Sequence, residues 1–328
     1  WEQIMGRLGR WINFKEKYTT MNKDFMNSVW WVISQLYKKN RLYEGVRIMG
    51  YSTSCATSLS NFEVQQNYQE VKDDSLFVKL YLKDKFKNFD NVQIIVWTTT
   101  PWTLVSNYCL AVGEEIKYNL VEYEENKYIC AETLLNNVFK KKEFKILHSF
   151  NGKELLDLKY IPPFNFNNFI NEFKIISGDF VTDSDGTGIV HIAPAFGEDD
   201  YNICIKNNII QKDSKLFIPI NENGYINDLI PDLKGKFYKN FKDKTNQDLN
   251  TWSIIELKKN NFYWDKRQYT HNYPFCWRSD TPLIYKAVNS WFIKVDDMRE
   301  KLVELNNTIN WEPKSVGSGR FHNWISNA

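Results

Sequence analysis

The run Val92-Gln93-Ile94-Ile95-Val96-Trp97 is apolar at every position but one. Strand side chains alternate between two faces, so a strand with no polar face must be covered on both. That places this segment at the centre of a layered domain. Leu76 to Leu82 alternates as a second strand, with Lys83-Asp84-Lys85 as the turn after it. Further β-like runs are Tyr118 to Tyr123, Tyr128 to Ala131, Phe144 to Leu147 and Ile189 to Ile192, the last closing on Ala193-Pro194. Residues 43–60 read as short strands and turns. A packing helix is expected over Lys23 to Lys39, capped by Asn22, because Phe25, Val29, Val32, Ile33 and Leu36 recur at helical spacing. Other helices are expected to start near Glu198 and to run from Gln247 to Lys259. The last third, rich in aromatics and proline, reads as less regular. The mixture predicts an α+β architecture with a β-barrel-like middle.

Charge narrows the partners. Lys plus Arg total 42 and Asp plus Glu 40, which excludes a strongly basic nucleic-acid coat and an acidic tail but leaves room for a local basic groove. Lys140-Lys141-Lys142 is either a solvated turn or a phosphate contact. No stretch reaches the roughly 20 apolar residues that cross a bilayer. The opening residues, Trp1-Glu2-Gln3-Ile4, are no secretory leader, and the chain reads as an excised piece of a longer protein. Five widely spaced cysteines, Cys55, Cys109, Cys130, Cys204 and Cys276, contain no CxxC and fit a reducing, cytoplasmic setting.

Two segments carry chemistry. Trp97-Thr98-Thr99-Thr100-Pro101-Trp102-Thr103 continues the central strand. Pro101 suits a first helical position with Thr100 as its cap, so the run is either a capped strand end or a hydroxyl ridge for a polar substrate and a water. Thr98 and Thr100 share a face; Thr99 joins them only through a twist or turn. Gly186-Thr187-Gly188-Ile189-Val190-His191-Ile192-Ala193-Pro194-Ala195-Phe196-Gly197-Glu198-Asp199-Asp200 is the second. His191 is either a satisfied core histidine or a site residue. The acids at the helix start are either dipole partners or a grip for an ammonium group.

Together these segments closely resemble the two signatures of the isoleucyl-tRNA synthetase editing domain, the large connective insertion of the class I catalytic fold. The flanks resemble it too. Gly9 to Phe14 and Phe25 to Trp31 look like the incoming segment, in its eukaryotic cytoplasmic form, and Tyr273 to Arg278 and Ser290 to Ile293 like the return. Thr100-Pro101-Trp102 stands where the valyl and leucyl branches carry Arg-Pro. The resemblance implies a helical connective segment over 1–50, ribbon-like neck strands over 51–90, a hydrolytic editing domain over 91–265 and a return segment over 266–328. Some bacterial relatives carry a zinc ribbon of two CxxC pairs at the neck. Only Cys55 and Cys276 stand at those positions here, and two soft ligands cannot close a four-coordinate site, so zinc is not expected and the two sulfurs are expected near each other.

The implied activity is hydrolysis of valine wrongly esterified to isoleucine tRNA, after transfer and also at the valyl-adenylate stage. One methylene separates the two amino acids by only about 1–3 kcal/mol, a figure known for this very pair rather than drawn from the sequence. The resemblance assigns Asp200 to the substrate's α-ammonium and His191 to its side-chain end. It assigns Thr98, Thr99 and Thr100 to the substrate and attacking water, Asn107 to the terminal ribose or its loop, and Trp97, Gly186 and Gly188 to the pocket wall. No cofactor is implied for editing. ATP and magnesium belong to the full-length enzyme, whose HIGH-type and KMSKS-type motifs are missing here, so no aminoacylation is expected. The partner is the tRNA's 3′ terminal adenosine, and a monomer is expected. Two alternatives stand beside this: a non-catalytic tRNA-binding spacer, and a valyl or leucyl editing domain.

Overall fold

The structure is a computed structural model that describes residues 1–328 except 11, 17, 141, 167, 171, 213, 241–247 and 328. Trp11 of the incoming segment, Lys141 of the lysine cluster and Gln247 at the expected helix start therefore lie outside the described residues. The chain forms two units, Trp1–Gly45 with Asn289–Ala328, and Val46–Val288.

The smaller unit is mainly helical. Its main helix spans Lys23–Lys38, as the spacing predicts, but Asn22 does not cap it through its side chain. Asn22 Oδ1 instead accepts from the Thr19 hydroxyl at 2.7 Å. Nor does the helix pack as expected: none of its residues is buried, and Val29 and Val32 stay 43% and 48% exposed. Elsewhere in this unit the Asn306 amide donates to Gly317 C=O and accepts from Trp311 Nε1–H, tying the Arg299–Asn306 helix to the chain that follows it.

The larger unit holds the strands that matter. They are β1 (Leu42–Ser52, entering from the smaller unit), β2 (Thr57–Leu59), β3 (Tyr68–Tyr81), β4 (Val92–Thr98), β5 (Cys109–Val112), β6 (Lys117–Tyr123), β7 (Asn126–Ala131), β8 (Lys145–Asn151), β9 (Ile175–Ser177), β10 (Ile189–Ile192), β11 (Tyr263–Pro274) and β12 (Ile284–Ile293, leaving toward the smaller unit). Nine of them, β3 to β11, form one mixed sheet in the order β8-β6-β7-β4-β10-β5-β9, with β3 pairing β4 and β11. β1 and β2 form a hairpin from Gly50↔Leu59 to Ser52↔Thr57.

β4 is central, as its composition requires. Val92, Ile94 and Val96 enter the main core, whereas Ile95 enters a second cluster with Phe77, Val121, Tyr128 and Phe139. Fully burying each such side chain contributes about 1.5–3 kcal/mol. β3 runs antiparallel along one edge of β4. The other edge changes partner partway, pairing in parallel with β7 over Val92–Ile94 and with β10 at Trp97↔Val190. A sheet opens where a strand switches neighbours, and ligands of α/β sheets bind at the carboxyl ends beside such a switch. The threonine run leaves β4 from that point.

One sequence expectation changes, and two short strands are added to those expected. The last third is not irregular: β11 and β12 are 12 and 10 residues long, and half-exposed alternation of aromatics is what their burial patterns show. The short strands β5 and β9 had no distinct periodicity to announce them. Lys140 pairs with Asp265 at 2.8 Å and Lys142 lies 4.7 Å over the Tyr123 ring. No described helix is long and apolar enough to cross a membrane.

Candidate functional site

A cavity of about 330 Å³ opens at the end of β4. Thr98, Thr99, Thr100, Trp97, Gly186, Gly188, His191 and Asp200 all line it, so two segments about 90 residues apart in sequence converge. The carboxylate and the threonine ridge thus face one hollow.

Thr98 ends β4, and the chain then turns at Thr100 (φ −127°, ψ 69°) into a fully buried 3-10 helix, Pro101–Ser106. Pro101 takes the first helical position as expected, although the Thr100 side chain makes no cap bond. The turn brings the hydroxyls together. Thr98 Oγ1 accepts from Thr100 N–H at 3.1 Å and lies 3.4 Å from Thr100 Oγ1. Thr103, one helical turn on, lies 3.1 Å from Thr100 Oγ1 and donates to Thr100 C=O at 2.8 Å.

His191 is buried on β10 with both ring nitrogens engaged. Asn107 Nδ2 donates to Cys109 C=O at 3.1 Å, which fixes the amide orientation, and its second hydrogen meets His191 Nδ1 at 2.8 Å. Nδ1 is therefore an acceptor and the ring proton sits on Nε2. Nε2–H points to Thr103 Oγ1 at 3.3 Å. Burial holds the imidazole down at about 4, so it is neutral at physiological pH. With both nitrogens occupied, the ring adds no free hydrogen-bonding atom to the cavity it lines.

The same accounting orients the hydroxyls. Thr103 spends its proton on Thr100 C=O and accepts from His191 and Thr100. Thr100 spends its proton on Thr103 and accepts from Thr98. These three protons run toward the protein, leaving one lone pair each on Thr98 and Thr100 for the cavity.

Asp200 lies in the first turn of the Glu198–Lys206 helix, and its Oδ2 accepts from Ala193 N–H at 2.7 Å. Burial pushes the carboxyl up to about 6 against the pull of that hydrogen bond, with the Asp199 charge adding to the rise. Gly197 permits this geometry, since a Cβ there would stand 2.8 Å from Asp200 Cγ. Gly186 and Gly188 have φ of +72° and +73°, and a Cβ on Gly186 would meet Trp97 Cε3 at 2.8 Å. They shape the wall and let the backbone approach.

Asn107 does not reach the rim. It is 2% exposed, sits behind His191, and takes the Tyr160 hydroxyl on its Oδ1, because the 3-10 helix carries it inward to the start of β5. A ribose contact for Asn107 is therefore replaced by support of the imidazole. Sequence reasoning missed Thr103, although its position three residues after Thr100 was a usable signal. It also missed Phe180, Thr182 and Asp185, lining residues outside both segments, and Phe196, which lies within the second. Among the described residues no three His, Cys, Asp or Glu side chains gather as a metal would require. The cavity presents hydroxyl acceptors, the carboxylates of Asp185 and Asp200, and the buried imidazole of His191. That set suits a small ligand with an ammonium group, a short aliphatic side chain and a bound water.

A family model described as tRNA synthetases class I (I, L, M and V) matches residues 1–328. The cytoplasmic isoleucine–tRNA ligase of Arabidopsis thaliana is 41% identical over 363 residues, covering 100% of this chain and 30% of that protein. The isoleucine–tRNA ligase of Rickettsia canadensis is 43% identical over 336 residues, with 100% and 30% covered. The chain thus spans about a third of the length of these relatives. Among solved structures, the P. knowlesi cytosolic leucyl-tRNA synthetase editing domain is 16% identical with a TM-score of 0.36, covering 61% of this chain and 87% of that one.

Proposed function

The chain belongs to the class I tRNA synthetases, and from that premise we propose that its cavity hydrolyses valine from mischarged isoleucine tRNA. The reading rests on one observation above all: the Asp200 carboxylate, the hydroxyls of Thr98, Thr99 and Thr100 and the neutral imidazole of His191 line the same small cavity. Asp200 pairs with the α-ammonium. The charge-assisted bond draws the raised carboxyl back to its ionised form. The imidazole of His191 bounds the side-chain end, where valine fits and one more methylene does not. The lone pairs of Thr98 and Thr100 accept hydrogens from the attacking water and so aim its oxygen at the ester carbonyl. The new C–O bond forms as the bond to the ribose oxygen breaks, and a proton from water ends on that oxygen. Threonine is too weak a base to do more than position, so catalysis here is orientation rather than proton abstraction. The tRNA enters by its 3′ terminal adenosine, the work is cytoplasmic, and neither metal nor cofactor takes part.

Deacylation of valyl- and isoleucyl-tRNA for isoleucine by this chain tests the reading. Wild type is expected to speed loss of valine over the spontaneous rate and to spare isoleucine, Asp200→Asn to lose at least tenfold of that rate, and His191→Ala to begin removing isoleucine. If wild type and Asp200→Asn are equally inert while both bind tRNA, the chain is a spacer and the reading fails. Preference for threonyl- or isoleucyl-tRNA would move it to the valyl or leucyl branch.

A further inference from the structure

Outside the cavity, two pairs of thiols stand close without a bond between them, and one pair has a member exposed to solvent. Cys55 Sγ and Cys276 Sγ are 4.0 Å apart although 221 residues separate them in sequence. Cys55 is exposed in the turn between β1 and β2. Cys276 is buried in the turn after β11, packed with Leu59, Val64 and Leu283. Both backbones are pinned. Cys55 N–H donates to Ser52 Oγ at 3.2 Å, Cys276 N–H donates to Thr281 C=O at 2.8 Å, and Cys276 C=O accepts from Asp280 N–H at 2.8 Å. The sulfurs have to close from 4.0 Å to a bonding distance of about 2.05 Å.

We propose that Cys55 and Cys276 are a thiol–disulfide exchange site that a low-molecular-weight disulfide oxidises reversibly, independently of the threonine cavity. Cys55, the exposed member, gives its proton to solvent and attacks one sulfur of the reagent. The reagent's S–S bond breaks, one thiolate leaves and takes up a proton, and Cys55 holds a mixed disulfide. The Cys276 thiolate then attacks the Cys55 sulfur beside it, expelling the second thiolate. Two protein thiols are oxidised and one disulfide is reduced to two thiols. The local groups favour this order. Burial raises the Cys276 thiol, but hydrogen bonds from the Ser279 hydroxyl and N–H and from Ser52 outweigh it and leave it at about 7. Cys109 and Cys204 provide an internal contrast. Their sulfurs are 3.9 Å apart, yet both residues are 0% exposed and burial drives the Cys109 thiol well up.

The test is incubation of the folded chain with excess oxidised glutathione, acid quench, alkylation and non-reducing peptide mass spectrometry. Wild type is expected to fall from five free thiols to three, to yield a peptide linking Cys55 to Cys276, and to regain all five with dithiothreitol. Cys55→Ser, an exposed and conservative change, is expected to keep its remaining four thiols. Cys276→Ser is expected to stop at a glutathione adduct on Cys55. A stable adduct on Cys55 in wild type with no linked peptide overturns the proposal. So does linkage of Cys109 to Cys204 at a rate within tenfold of the Cys55–Cys276 rate.

Discussion

Asp200→Asn should stabilise the protein at neutral pH while destroying the site's charge. The carboxyl moves from its ordinary 3.8 to about 6 on folding, chiefly by burial. About 2 units at about 1.4 kcal/mol each put the cost of keeping it ionised near 3 kcal/mol above pH 6. A raised acid is most favourable below its unfolded value and loses that contribution as pH rises through its folded one. Asparagine has the shape of the neutral acid and keeps an acceptor for Ala193 N–H, but carries no charge to bury. The variant should therefore gain about 2–3 kcal/mol over wild type near pH 8, and the gain should vanish as pH falls below about 4. His191 supplies a second signature. Its folded value lies at about 4 against 6.5, so the unfolded chain binds the extra proton between these values, and stability falls by about 3 kcal/mol as pH drops through that window. In wild type the two slopes oppose and nearly cancel; in the variant the histidine slope stands bare. Urea unfolding from pH 4 to 8, followed by tryptophan fluorescence, reads both. A difference between the proteins that is independent of pH, or that grows toward acid, refutes the argument.

Other sites give narrower outcomes. Gly186→Ala adds a Cβ 2.8 Å from Trp97 in a left-handed conformation, and should cost about 2–4 kcal/mol in urea unfolding and close part of the cavity wall. Tyr160→Phe strips the hydroxyl from buried Asn107 Oδ1 and should cost about 1–3 kcal/mol. Because Cys109 C=O still holds the Asn107 amide, nitrogen chemical shifts should keep His191 protonated on Nε2 in that variant.

What the sequence disclosed followed from strong patterns. β4 was legible because both of its faces are apolar, and β10 begins and ends where its alternation does. The Glu198 helix start was legible because Gly197 precedes three acids. Thr98 and Thr100 do meet, with their hydroxyls 3.4 Å apart, but β4 ends at Thr98, and it is the departure from the strand, not its alternation, that brings the three threonines to one cavity. Of the two roles expected for Asn107, ribose or loop, the 3-10 helix leaves the inner one, because it advances and rotates the chain differently from a strand and turns the side chain inward. β11 was missed because its aromatics and proline resemble loop composition. The cavity residues Phe180, Thr182 and Asp185 come from the connection between β9 and β10, which forms neither helix nor strand and so has no periodicity to read.

The direction of the hydrogen bonds divides the chemistry among the groups. If the threonine protons pointed outward, the ridge could stabilise a developing oxyanion; pointing inward, it can only accept. The inward sense is set by the Cys109 carbonyl, which cannot donate, acting through Asn107, His191 and Thr103. A neutral imidazole on Nε2 is thus what keeps the ridge an acceptor, and a protonated one would add a donor at Nδ1 and break the bond to Asn107. Burial of His191 therefore serves the hydroxyls as much as the size of the cavity. Under the proposed hydrolysis the oxyanion takes its donors from outside Thr98, Thr100 and Thr103.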